Sequence, residues 1–151
     1  MKASVFRFMM NLYPPYLGAG VRVEAVSPDY RRVEVSMALR WFNRNYVGTH
    51  FGGSLSSMTD PFYMLMLLNI LEKDYLVWDK SGTIEYVKPG RGTVRAIFTI
   101  GQQQLDDIYR HTASGEKYLP TFSVDVVDEA GEVVARVTRT LYIRKKKSAR
   151  S

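Results

Sequence analysis

The chain has no cysteine, which excludes disulfides, cysteine-ligated zinc and thiol catalysis. It has two histidines, His50 and His111, too few to expect a histidine-based metal site. No apolar run reaches the roughly 20 residues that a membrane-spanning helix needs. Near the start, Arg7 and the triplet Tyr13-Pro14-Pro15 break any apolar core of a secretory signal. Linkers, internal repeats and low-complexity stretches are also missing. The reading is therefore a cytoplasmic protein with no metal or cofactor and no membrane span. Its 151 residues are expected to form a single domain around one core.

The apolar share of 46% is that of a globular protein. The formal charge of +6 suggests nucleic acid at first, but it is local. Arg144, Lys145, Lys146, Lys147 and Arg150 sit in the last eight residues, and the remaining 16 positive side chains face 15 acids. The body is nearly neutral, and no interleaving of aromatic and basic residues marks a nucleic-acid face. Residues 145–151 are expected to be a solvated, disordered basic tail.

Residues 1–17 read as an N-terminal helical segment, with a short helix over 4–12 stopped by Tyr13-Pro14-Pro15. Val21-Val23-Ala25 and Val33-Val35-Met37-Leu39 alternate with polar residues and predict two strands. Ser27-Pro28-Asp29 between them is turn chemistry, so they should form a hairpin. Ile84–Tyr86 and Val94–Ile100 flank a glycine-rich turn at 88–92, and a further hairpin joins Phe122–Val126 to Val133–Val137. The polar stretch 102–116 reads as a loop with at most a helical turn.

Phe62–Leu71 is apolar almost all round. Such a helix must be buried all round, and about six strands are available to bury it. The expected fold is α+β, a curved antiparallel sheet wrapped round one central helix. Its open edges would favour pairing with a second copy.

The helix is preceded by Asn45-Tyr46-Val47-Gly48-Thr49-His50-Phe51-Gly52-Gly53, with Asp60 seven residues beyond the glycine pair. A helix mouth offers unpaired N–H groups and partial positive charge. Those can polarise a carbonyl oxygen, and a nearby carboxylate can act as base or nucleophile. That is the least apparatus for cleaving an ester or thioester. A plainer reading also fits the residues: Asp60 caps a helix that starts at Pro61, and Gly52-Gly53 is a tight turn.

The order β-β-α-β-β-β-β, with Asn45, Gly48-Thr49, Gly52-Gly53 and Asp60 in register, resembles the hotdog-fold thioesterases of the phenylacetate-degradation type. The likeness extends to thioesterase-like domains of unknown function in that superfamily. It spans roughly residues 18–144 and includes Ile84–Gly92, which resembles the family's strand and turn ending in a proline. The resemblance implies that the Gly52 N–H holds a thioester carbonyl and that Asn45 orients water or substrate. Asp60 would be base or nucleophile, contributed by the neighbouring subunit, with any helix begun near Ser54 bent at Pro61. Thr49, Phe51 and Gly53 would line the substrate site, and Lys88 and Arg91 would meet coenzyme A phosphates or another anionic group. The implied partners are an acyl-CoA or acyl-carrier thioester and a second copy of the chain, in a dimer or a tetramer.

Two positions depart from the family pattern. Phe51 stands where histidine usually precedes the glycine pair, with His50 one place earlier. Lys88 stands before Pro89, where a small hydroxyl residue is common. Three readings follow: an acyl thioesterase, an acyl-CoA-binding or sensing module without turnover, and a dehydratase-like protein pairing His50 with a carboxylate.

Overall fold

A computed structural model describes residues 1–149. The elements are α1 (Ala3–Leu12), α2 (Pro14–Ala19), β1 (Val21–Val26), β2 (Arg32–Ala38), α3 (Gly52–Thr59), α4 (Phe62–Leu71), β3 (Tyr75–Tyr86), β4 (Thr93–Thr99), α5 (Gln102–Thr112), β5 (Thr121–Val127) and β6 (Val133–Lys145). The six strands form one antiparallel sheet in the order β1-β2-β4-β5-β6-β3. The expected curved sheet around a central helix is present. The inward side chains of its strands, such as Val35, Phe98, Val126 and Ile143, enclose Phe62, Met66 and Leu67 of α4. Aromatic contacts fix the helix to the sheet. The Phe62 and Phe98 rings lie 5.0 Å apart, Tyr63 stacks on Phe122 at 4.9 Å, and the Tyr63 hydroxyl donates to Ser123 O.

Several expectations need correction. The first helix does stop at Leu12, before Tyr13-Pro14-Pro15, and Pro14 and Pro15 then open a second helix, α2, where a missing N–H costs nothing. The 102–116 stretch is mostly helix. Leu105, Ile108 and Thr112 are buried on one face of α5, and the Gln104 side chain accepts from Gly101 N–H at its start. Strand β3 begins nine residues before Ile84, because Tyr75–Thr83 pairs with β6 despite its polar content. The turn at 88–92 closes no hairpin. It carries the chain from β3 at one sheet edge across to β4, which pairs with β2 and β5.

The start of the expected basic tail is strand, not free chain. Lys145 pairs with Tyr75 in the ladder, and Lys146 N–H donates to Asp74 O. A 3-10 turn covers 147–149. Arg150 and Ser151 lie outside the described residues.

The helix expected over Phe62–Leu71 is α4, and it follows α3 in one broken helical run. Asp60 and Pro61 break it between Thr59 and Phe62, because proline cannot donate to the preceding turn. Of the two versions foreseen from the sequence, the helix begun near Ser54 and bent at Pro61 fits, and the Asp60 cap does not. Pro61 is the first flanking residue of α4 and no side chain caps it, so Asp60 is not a cap. Nor is α4 buried all round, since Leu68 is 37% exposed and Met64 and Leu65 are half-buried.

The two sheet edges differ. Along β1, the Asn11 amide of α1 bonds both N–H and C=O of Val23, and Arg7 donates to Glu24 O. That edge is covered. The other edge is the outer side of β3, twelve residues long and, among the described residues, paired only with β6. An uncovered edge of that length is a template for another strand.

Candidate functional site

The loop before α3 is built on two asparagines. Asn43 is buried; its amide donates to Ala19 O and Ala38 O and accepts from Arg40 N–H. Asn45 bonds Thr49 Oγ1 at 2.9 Å and His50 O at 3.4 Å, and accepts from the N–H groups of Val47 and Thr49. Those four bonds use both donors and both acceptor directions of the Asn45 amide, so it braces the loop. Thr49 is buried in the same turn.

The loop delivers Phe51 in extended conformation, and Phe51 O accepts from Ser54 and Leu55 N–H to start α3. The N–H groups of Gly52 and Gly53 have no acceptor among the described residues. They point out of the helix mouth with the partial positive charge of the first turn. Both glycines let an exposed ring approach closely. A Cβ on Gly52 would lie 2.9 Å from the Tyr86 hydroxyl oxygen, and one on Gly53 would lie 2.5 Å from the Phe51 ring. A pocket of about 450 Å³ opens here, lined among others by Asn45, Thr49, His50, Gly52, Tyr86 and Lys88.

Tyr86 was not singled out from the sequence. Its signal was present only as the last aromatic of a strand leading into the Lys88-Pro89 turn.

His50 is 3% exposed. Its Nε2 lies 2.8 Å from Gly92 O, an arrangement in which Nε2–H donates, and Nδ1 is buried without a partner. Burial pushes its pKa below the ordinary value, against the weaker opposing effect of the Gly92 bond. The ring is therefore neutral near pH 7. Lys88 is engaged: its ammonium pairs with Asp128 at 2.7 Å and with Glu132. Hydrogen bonds to both carboxylates raise the Lys88 pKa, and Lys88 lowers that of Asp128. Arg91 is exposed on the same turn.

Asp60 is elsewhere. It sits at the α3–α4 break and lines a second pocket of about 470 Å³ with Tyr13, Tyr16, Ser57, Met64 and Leu65. Gly52 and Asp60 are eight residues apart, about 12 Å along a helix at 1.5 Å per residue. One protomer thus keeps the free N–H pair and the carboxylate in separate pockets. Arg139 Nη2 donates to Asp60 Oδ2 at 3.4 Å. Arg139 was not identified from the sequence, because strand alternation marks position 139 as an inward residue of β6 and says nothing of its partner.

Among the described residues, no group of three or more His, Asp or Glu side chains could hold a metal ion. No helix among them is long and apolar enough to cross a membrane.

The architecture matches solved structures over nearly its whole length. A Pseudomonas aeruginosa protein of unknown function, PA5026, described as a probable thioesterase, superposes with a TM-score of 0.86. It has 18% identity, with 97% of each chain covered. The thioesterase HI1161 of Haemophilus influenzae gives 0.70 at 13% identity, covering 96% of this chain and 92% of that one. The phenylacetic acid degradation protein PaaI of Thermus thermophilus, in the structure of a point mutant, gives 0.59 at 22%, covering 85% of this chain and 97% of that one. At such identities the likeness establishes the hotdog fold. No curated protein matches the sequence. The model of a domain of unknown function, DUF4442, matches residues 2–143, and the chain, a hotdog-fold protein, belongs to that family.

Proposed function

We propose that the protein is an acyl thioesterase acting on acyl-CoA or acyl-carrier thioesters, with an active site shared between two copies of the chain. The observation that carries this reading is the pair of N–H groups at Gly52 and Gly53, unpartnered among the described residues, at a helix mouth where Gly52 lines a pocket. Donors fixed before the reaction stabilise charge that develops on a carbonyl oxygen. The thioesterase-named neighbours of the same fold support the same chemistry.

In this mechanism the thioester carbonyl oxygen lies against the Gly52 and Gly53 N–H groups. Asp60 takes a proton from water as the water oxygen attacks the carbonyl carbon. Negative charge builds on the oxygen at the helix mouth. The C–S bond then breaks, and the thiolate leaves with the proton returned by Asp60. The apolar side chains Met64 and Leu65 beside Asp60 suit an acyl chain. Reaching water or substrate with Asn45 would require exchanging one of its loop bonds. Because about 12 Å separates Gly52 from Asp60 within a protomer, the carboxylate comes from a partner. The open edge of β3 is where that partner would add its own strand.

The second reading, a binding module without turnover, draws on His50. With Phe51 before the glycine pair and His50 tied to Gly92 O, no histidine side chain is free to serve the helix mouth.

The test is thiol release over a panel of acyl-CoA esters by wild type and Asp60→Asn. Loss of a positioned base costs about 10²–10⁴ in rate, with little change in KM. Undiminished turnover in Asp60→Asn removes Asp60 from the chemistry. Tight acyl-CoA binding with no turnover by wild type establishes the second reading instead.

A further inference from the structure

Three ionisable side chains reach the surroundings of Asp60 from three other elements: Tyr16 on α2, Asp79 on β3 and Arg139 on β6. Arg139 is the unusual one. It lies on the inward face of β6, between Val137 and Leu141, and is 9% exposed. A guanidinium in that position is costly unless it is paired. Its Nη2 donates to Asp60 Oδ2, while its Nε is buried with no partner among the described residues.

The sheet makes room for this group. Gly82 is the cross-strand partner of Arg139. A Cβ at Gly82 would lie 2.6 Å from Nη1 and 3.0 Å from Cζ. The seat of the guanidinium is thus the side chain that Gly82 lacks.

Asp79 shares that face because of an irregularity. The β3–β6 register shifts between Asp79 and Ser81. A bulge there lets Asp79 and Gly82, three apart, point the same way. Asp79 pairs with Leu141, an inward residue two places from Arg139. Its Oδ1 is buried and has no hydrogen-bond partner among the described residues.

Resting on the reading of Asp60 as the base, we propose that Arg139 is a positioning residue for Asp60, seated by the gap at Gly82, and that Asp79 competes for the same guanidinium. When Asp79 is neutral, Arg139 belongs to Asp60 alone and holds its carboxylate in place. When Asp79 is ionised, the guanidinium is shared and its hold on Asp60 loosens.

The charges around Asp79 agree with this arrangement. Burial pushes its pKa up to about 6, Arg139 pulls it down, and the negative charge of Asp60 pushes it up. Tyr16 does not take part in the switch. Its hydroxyl is buried without a partner, and burial, followed by Asp60 and Tyr13 and opposed by Arg139, drives its pKa far upward. Turnover should therefore step down as pH rises through about 6, and Asp79 sets the step.

The experiment has two arms on the full-length protein. Carbon-detected NMR titration follows the Asp79 carboxyl in wild type, Asp60→Asn and Gly82→Ala. Its midpoint should fall in Asp60→Asn, where a negative neighbour is lost, and rise in Gly82→Ala, where the added methyl displaces the guanidinium. An Asp79 midpoint unchanged in both variants overturns the proposal. The kinetic arm compares kcat against pH. Wild type should show a step at the Asp79 midpoint, and Asp79→Asn should be flat across it. Gly82→Ala should lose up to about 10²-fold in kcat with KM kept, the effect of a misplaced catalytic group. Arg139→Lys, which keeps the charge and loses the fork, should retain more activity than Arg139→Met. If wild type turns over no thioester, the catalytic reading fails by itself, and the titration still decides whether the three groups are coupled.

Discussion

Replacing Asp79 by asparagine should stabilise the protein, and the gain should depend on pH. Asp79 is held with its ionisation pushed up to about 6 from an ordinary 3.8, chiefly by burial. The sign follows from proton uptake. Between the two values the unfolded chain has lost a proton that the native protein keeps, so native stability falls as pH rises from 3.8 and levels off above about 6. A shift of this size at about 1.4 kcal/mol per unit amounts to about 3 kcal/mol at pH 8. That is an upper value, because partial solvent access screens the charge. Asparagine keeps the shape and cannot ionise. Urea denaturation of wild type and Asp79→Asn at pH 8 should show the variant more stable by up to about 3 kcal/mol, with the difference shrinking below pH 6 and closing near pH 4. Equal stability at pH 8, or a gain of the same size at both pH values, refutes the claim that this carboxylate is kept ionised at a cost. Stability given up in a cluster that touches Asp60 is the pattern expected of a functional site.

Two further outcomes follow from the same structure. His50 is buried neutral with its pKa below the ordinary 6.5; above 6.5 its contribution is complete, and it is lost as pH falls towards the folded value. His50→Gln, which can still donate to Gly92 O, should show a shallower loss of stability in urea midpoints taken between pH 7 and pH 5, and a slope equal to wild type would count against a neutral buried ring. With the β1 edge covered by Asn11 and Arg7 and the β3 edge open, light scattering at micromolar concentration should report at least a dimer; a monomer mass contradicts the shared site.

Much of the fold was legible in the chain. The alternation of Val21–Ala25 and Val33–Leu39, the turn residues between them, and the apolar run after Pro61 carry direct physical signals of strand, hairpin and core helix. Other features were hidden for identifiable reasons. Helix α5 buries only Leu105, Ile108 and Thr112, a stripe too thin to stand out among glutamines and aspartates. The first part of β3 holds Asp79, Lys80, Ser81 and Gly82, residues poor in strand propensity, and only pairing with β6 fixes it as strand.

The glycine pair could be located because backbone chemistry at a helix mouth is a local property. Asp60 was found as a residue, but its environment was not. Its contact with Arg139 spans 79 positions and depends on strand register. The braces at Asn43 and Asn45 were hidden although most of their bonds are local, since a hydrogen-bonding side chain does not announce its partners.

The account rests on a site assembled from two copies, and complementation between two inactive variants tests it most directly. Asp60→Asn removes the base. Gly52→Pro removes an N–H donor at a position where proline suits the first helical turn; the exposed Tyr86 ring must shift to admit its Cβ, and the extended Phe51 before it, with φ −64° and ψ 130°, is compatible with a following proline. Each variant alone should lose about 10²-fold or more in thioester turnover. Co-refolded in equal amounts, half of the two-fold dimers should be mixed, and each of these carries one intact site of two, so about a quarter of wild-type activity should return. Recovery to that level is the predicted result. A mixture as inactive as either parent, with mixed dimers shown to form, would contradict the shared site.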